Sequence, residues 1–331
     1  MFFFNTTLDG LQFGLCYAIL AIGLYISYSI LDFPDLSVDG IFPFGGIIGT
    51  IAMYSWGLHP IFAIILSCIA GMAAGAVTGL LHVKCHISKL LCGIIVMTGF
   101  ASITLALTMV LTGTGYTQVL FPYGANGVQG LFNGPITQGM TNTQRKLYNI
   151  AVLAVIVLVV KIMIDLFLKT KMGFMLRATG NNEQMVVSLG KDPGNYKILG
   201  LSLADGLVGI SGCLYAQMMQ TYDNTCGAGK VVIALVAVIL GVTLFGNIRF
   251  MKGTTACIIG AIIYSLALYY FTILDSNGIY LKLFNAVFFV IVLIVSEKYK
   301  QFHSKGLRAL ATPGGGMRKS GKNRTEDPEG Q

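Results

Sequence analysis

Long apolar runs separated by short polar breaks dominate the chain, and neither the two-residue alternation of a half-buried strand nor a polar helix face recurs over any length. Nine of these runs predict helices: Leu11–Ile30, Ile41–Trp56, Ile61–Val83, Leu90–Leu111, Leu147–Phe167, Ile198–Met219, Val231–Phe245, Thr254–Leu274 and Ile279–Ser296. Most reach the roughly 20 residues that cross a bilayer core; the second and seventh are shorter. The predicted fold class is therefore an all-α polytopic membrane protein of about nine transmembrane helices.

Composition agrees. Of 331 residues, 55% are hydrophobic and 11% charged, with a mean hydropathy of +0.74, which excludes an ordinary soluble enzyme. The net charge of +8 is no nucleic-acid footprint, because the basic residues fall in short clusters between apolar runs. Such clusters mark the cytoplasmic side. Lys84 and Lys89, then Lys169, Lys171, Arg177, Lys191 and Lys197, then Arg249 and Lys252, and finally the segment from Lys298 to Arg324 alternate consistently with nine spans. That alternation predicts an outside N-terminus and a cytoplasmic C-terminus. Met1 to Gly10 holds no Lys or Arg, so the first span is expected to be retained rather than cleaved.

Residues 1–297 are expected to form the transmembrane domain. Residues 298–331, rich in Gly, Lys, Arg and Ser, are expected to form a disordered basic cytoplasmic tail.

The first four helices begin outside and the last four inside, which is the arithmetic of an inverted repeat. In each unit a long helix meets a polar, acidic interruption and then a short helix: Asp32 to Gly40 in the first, Tyr222 to Lys230 in the second. Paired interruptions point to a translocation site, because helix ends there supply donors, acceptors and partial charge; two ordinary surface loops are the alternative. Asp35, Ser37, Asp39 and Asp223 are the candidate path residues, with Asp35 and Ser37 as caps of the following helix. Asp205, the acidic residue of the sixth span, is either a path residue or a hydrogen-bonded packing group.

No catalytic set is present. The four histidines, His59, His82, His86 and His303, lie near predicted loops or in the tail, and His82, Cys85 and His86 fall short of a zinc site's ligand pattern. Gly229-Lys230 lacks the first Gly and the Ser or Thr of a phosphate-binding loop. No metal, cofactor or ATPase activity is expected in the chain itself.

Three segments carry a family resemblance. Asp35-Leu36-Ser37-Val38-Asp39-Gly40 resembles the D-L-S-V-x-G element of ribose-type permeases, and Gly75-Ala76-Val77-Thr78-Gly79-Leu80-Leu81 their G-A-x-x-G helix. The segment from Thr170 to Asn182, TKMGFMLRATGNN, is similar to a T-x-x-G-x-x-x-R-A-x-G-x-N loop of the same group. The chain thus resembles the permease subunit of bacterial ABC importers of the branched-chain amino-acid and ribose group. Its nearest likeness is to permeases paired with a periplasmic-type binding protein, some of them proposed to carry aromatic amino acids. In that branch the position of Asp205 is commonly Asn, so Asp205 is a departure.

The resemblance implies an inner-membrane importer subunit that moves a small solute such as an amino acid. It implies a second permease subunit, a separate ATPase that holds ATP, and an extracytoplasmic binding protein. It also implies a cytoplasmic coupling loop containing Arg177, Gly180, Asn181, Asn182, Met185, Ser188 and Gly190, in which Gly180 to Asn182 form a turn and cap and a short helix runs from Glu183 to Leu189. An ion-coupled carrier or a channel is the competing class.

Overall fold

The computed structural model describes residues 2–113, 118–120, 130–132, 139–246, 251–274 and 280–311. In chain order the elements are α1 (Phe2–Leu24), α2 (Val38–Tyr54), α3 (Pro60–Val83), α4 (Lys89–Thr112), β1 (Gln118–Leu120), α5 (Asn142–Phe167), α6 (Lys171–Asn181), α7 (Glu183–Ser188), α8 (Pro193–Met219), β2 (Thr221–Asp223), α9 (Lys230–Phe245), α10 (Gly253–Leu274) and α11 (Leu281–Ala311). A wider π-helical turn, Tyr25–Ile30, continues α1 to the first interruption. Among the described residues seven helices are long and apolar enough to cross a membrane, and Val38–Tyr54 is a shorter apolar helix. The protein is an all-α polytopic membrane protein.

Burial sorts the helices. In the apolar windows of α1 and α8, 83% and 72% of residues are buried, against 22% in α4 and α5. The first pair therefore forms the centre and the second pair presents its side chains outward. α8 packs on α1, α2 and α3, while α1 also contacts α5, α9 and α10. Small residues allow this. Where α2 crosses α8, a methyl group on Gly45 would collide with the Gly209 backbone, so the two backbones touch directly.

The short strands β1 and β2 pair antiparallel, with Gln118 opposite Asp223 and Val119 opposite Tyr222. Tyr222 is buried with Ile47 and Val119, which pins the strand to α2.

Helix limits differ most from the sequence reading at four places, the first being α1, which begins at Phe2 rather than Leu11. α5 begins at Asn142 because Thr141 and Gln144 form a capping box there. α8 begins at Pro193, capped by Asp192, whose side chain accepts from Gly194 N–H at 2.8 Å. α11 runs on to Ala311, beyond the domain limit expected at residue 297, through Glu, Lys, Gln, Leu, Arg and Ala that favour helix. The rest of the expected tail, residues 312–331, and Arg249 lie outside the described residues.

Candidate functional site at the helix interruptions

The first interruption begins with Asp32 at φ +52°. The chain then turns inward, and Asp35, Ser37 and Asp205 come together in the protein interior, all essentially fully buried. Asp35 Oδ1 accepts from Ser37 N–H at 2.8 Å. Ser37 was expected to cap α2 with its side chain. It occupies the cap position but forms no capping bond there; its hydroxyl instead donates to Asp205 Oδ2 at 3.3 Å.

Ser37 thus bridges the two acids, its amide held by Asp35 and its hydroxyl by Asp205. Asp35 Oδ2 and Asp205 Oδ1 are buried without a hydrogen-bond partner among the described residues. Gly75 of α3 leaves the space for Asp205: a methyl group there would stand 2.8 Å from its Cβ and from Oδ2. Because α8 starts at Pro193 rather than Ile198, Asp205 lies about three turns into the helix, deeper than the sequence limits placed it.

Asp39 joins the two interruptions. Its carboxylate, half-buried in the first turn of α2, accepts from Gly229 N–H at 2.9 Å and Val231 N–H at 2.8 Å. It thus supplies from another helix the cap that Gly229, at the N-cap position of α9, has no side chain to give. Pro43 cannot donate to the Asp39 carbonyl inside α2, and Gly227 packs against that oxygen and the proline ring.

Lys230, beside this cap, escaped the sequence reading. It is buried, donates to Tyr17 Oη at 2.8 Å, and lies 4.6, 4.7 and 5.3 Å from the ring centres of Tyr17, Tyr215 and Phe42. Three rings and a nearby carboxylate are what permit an ammonium at this depth. The available signal was one cation at the head of an otherwise apolar run.

Asp223 does not join this cluster. It lies beyond the far end of α8, about 20 Å along that helix from Asp205. There it accepts from Gln118 Nε2 at 3.0 Å and from the Thr225 amide and hydroxyl at 2.8 Å each. Burial pushes its carboxyl up, but these donors outweigh burial and hold it below the usual carboxylate range.

The loop between α5 and α8 forms two helices. Gly180 and Asn181 are the last residues of α6 rather than a turn, because the helix carries on until Asn182 breaks it with an extended backbone. Asn182 then caps α7, its side-chain oxygen accepting from Gln184 and Met185 N–H at 3.0 and 3.4 Å. Ser188 Oγ bonds back to the Met185 carbonyl at 2.8 Å, and Gly190 at φ +68° ends the turn. Pro193 starts α8 rather than merely stopping α7.

Arg177, Met185, Val187 and Leu189 are exposed, while Val186 is buried. The apolar surface of α7 is thus divided between the protein and solvent. Gly180 itself packs against the carbonyl of Ile30, where the π-helical turn ends. α6 therefore bears directly on the segment that leads into Asp35, Ser37 and Asp205.

Comparison with known proteins agrees with this architecture. Residues 6–296 match the family model described as branched-chain amino acid transport system / permease component. The Tyrosine transport system permease protein of Clostridioides difficile is 38% identical over 281 residues, covering 85% of this chain and 88% of that protein. The Ribose import permease protein RbsC of Escherichia coli K12 is 23% identical over 299 residues, covering 90% of this chain and 87% of that one. No solved structure matches the chain. With the family model spanning nearly all of its helices, the chain belongs to the branched-chain amino acid and ribose-type permease family, the membrane-spanning components of ABC import systems.

Proposed function

We propose that this chain lines the solute path of an ATP-driven importer for a small solute such as an amino acid, and that the helix interruptions form the moving part. The observation that carries the reading is the Asp39 cap. One carboxylate from the first interruption holds the first turn of the helix that follows the second, so neither break can shift without the other. Asp35, Ser37 and Asp205 line the path on one side of that joint, and Asp223 stands at its outer mouth.

Nine spans in an inverted repeat, with the N-terminus outside, the C-terminus in the cytoplasm and residues 298–331 as a basic tail, complete the arrangement. The alternation of basic clusters supports it. Reporter fusions near Asn126 and Lys319, both outside the described residues, are expected to report opposite sides of a bacterial inner membrane.

ATP would be held by a separate ATPase subunit and no cofactor by this chain. α7 would dock in the ATPase through Met185 and its exposed neighbours, with Arg177, Asn181, Asn182, Ser188 and Gly190 shaping the loop. Closure of the ATPase would push α6, and Gly180 would pass the push to Ile30 and the first interruption. A second permease copy and an extracytoplasmic binding protein complete the importer. The amino-acid assignment rests on the likeness to the tyrosine permease.

Co-purification with mass spectrometry tests the assembly: an importer brings down an ATPase and a binding protein, and a carrier or channel brings down neither.

A further inference from the structure

A cavity of about 380 Å³ opens between the ends of α1, α5 and α6 and the start of α10, lined by Tyr25, Asp165, Lys169, Arg177, Lys252 and Thr254 among others. Three cations face one carboxylate. Asp165 is fully engaged, accepting from Lys252 Nζ at 2.9 Å and from Thr254 Oγ1 at 2.7 Å. Lys169 and Arg177 are exposed and have no carboxylate partner among the described residues. The cavity therefore presents a net positive charge that nothing in the described chain neutralises.

Its depth is fixed by its neighbours. On α5 the residues Leu158, Ile162, Met163 and Leu166 are 49% to 64% exposed, a bare apolar strip of the kind that meets acyl chains. The helix ends at Phe167, and Lys169 follows just past the cap residue Leu168. Met172 and Phe174 of α6, 49% and 61% exposed, continue the apolar rim beside Arg177. The cations thus stand where hydrocarbon gives way to headgroups, and a lipid could lay its chains on α5 while its phosphate enters the cavity.

We propose that this cavity binds the phosphate of an anionic membrane phospholipid, held between Lys169 and Arg177 with Lys252 behind them. A free phosphate shares the headgroup's charge but gains nothing from the apolar strip. The site bears on coupling by position, since Arg177 lies one turn before Gly180 on α6. It does not depend on which solute the permease carries.

Native mass spectrometry of the purified full-length chain, offered dioleoyl phosphatidylglycerol and dioleoyl phosphatidylcholine in equal amounts, tests the proposal. Wild-type chain is expected to retain the anionic lipid over the zwitterionic one by about thirtyfold or more, the preference two to three basic side chains give at a membrane surface. Lys169→Gln with Arg177→Gln should bring the two lipids to near parity, and Lys169→Gln alone should lose part of the preference. Lys84→Gln with Lys191→Gln removes equal charge from exposed basic positions outside the cavity and should keep it. No preference in wild type, or equal loss in the Lys84 and Lys191 control, would overturn the proposal. Displacement of the lipid by millimolar inorganic phosphate would overturn the lipid as occupant and leave a soluble-anion site.

Discussion

Ser37 Oγ donates to Asp205 Oδ2 across 3.3 Å, joining the end of the first interruption to the middle of a central helix 168 positions away in the chain. The bond turns a residue that local sequence marks as a helix cap into a tertiary fastening, and it sets Asp35 beside a second acid.

That pairing makes Asp205→Asn an informative change. An amide keeps an oxygen to accept from Ser37 and adds N–H donors to a cluster in which Asp35 Oδ2 is buried without a partner. We expect Asp205→Asn to match or exceed wild-type thermal stability in detergent, and Asp205→Leu, which leaves the buried Ser37 hydroxyl without its acceptor, to lose about 1–3 kcal/mol. A destabilised Asn variant would show that the carboxyl at position 205 itself holds the cluster together.

Asp39 and Lys230 meet at the N-terminus of α9, one capping its amides and the other held by aromatic rings. A double-mutant cycle of Asp39→Asn and Lys230→Met is expected to give a coupling of about 1–3 kcal/mol in unfolding experiments. Additive effects would mean that the carboxylate acts on the helix amides alone.

Gly180→Ala places a methyl group against the Ile30 carbonyl, an overpacking worth about 1–3 kcal/mol. The strain falls on the contact between α6 and the first interruption. In the assembled importer this variant should lose most of its solute-stimulated ATP hydrolysis. Undiminished stimulation would remove the Gly180 contact from the coupling path.

Asp223 gives the pH dependence. Its carboxyl is held below its unfolded value of about 3.9. Its stabilising contribution is therefore complete above that pH and lost as the pH falls through the lower, folded value. Hydrogen exchange at Gln118–Leu120 and Thr221–Asp223 should accelerate, beyond its intrinsic pH trend, as the pH drops from 5 to below about 4. In Asp223→Asn the excess acceleration should vanish; its persistence would assign the loosening to another acid.

The helices were legible because each long apolar run has no other way to satisfy its backbone in a membrane. The two interruptions showed themselves through Pro34 and clustered acids, but their partners did not. Ser37 reads as a cap for α2, and only the fold brings Asp205 within reach of its hydroxyl. Lys230 was hidden in the same way, since the rings that shelter it come from three helices. The end of α6 was missed because Gly180 and Asn181 favour turns locally, whereas packing against Ile30 holds them in helix.

The central claim, that ATP hydrolysis rather than an ion gradient drives transport through this permease, is tested most directly by uptake into proteoliposomes. These would contain the permease, its co-purified ATPase and the binding protein, with radiolabelled tyrosine as the first solute tried. Ionophores would collapse every ion gradient. Uptake that requires ATP and the binding protein and continues with ionophores present is the predicted result. Uptake that ignores ATP and stops when the gradients collapse would contradict the account.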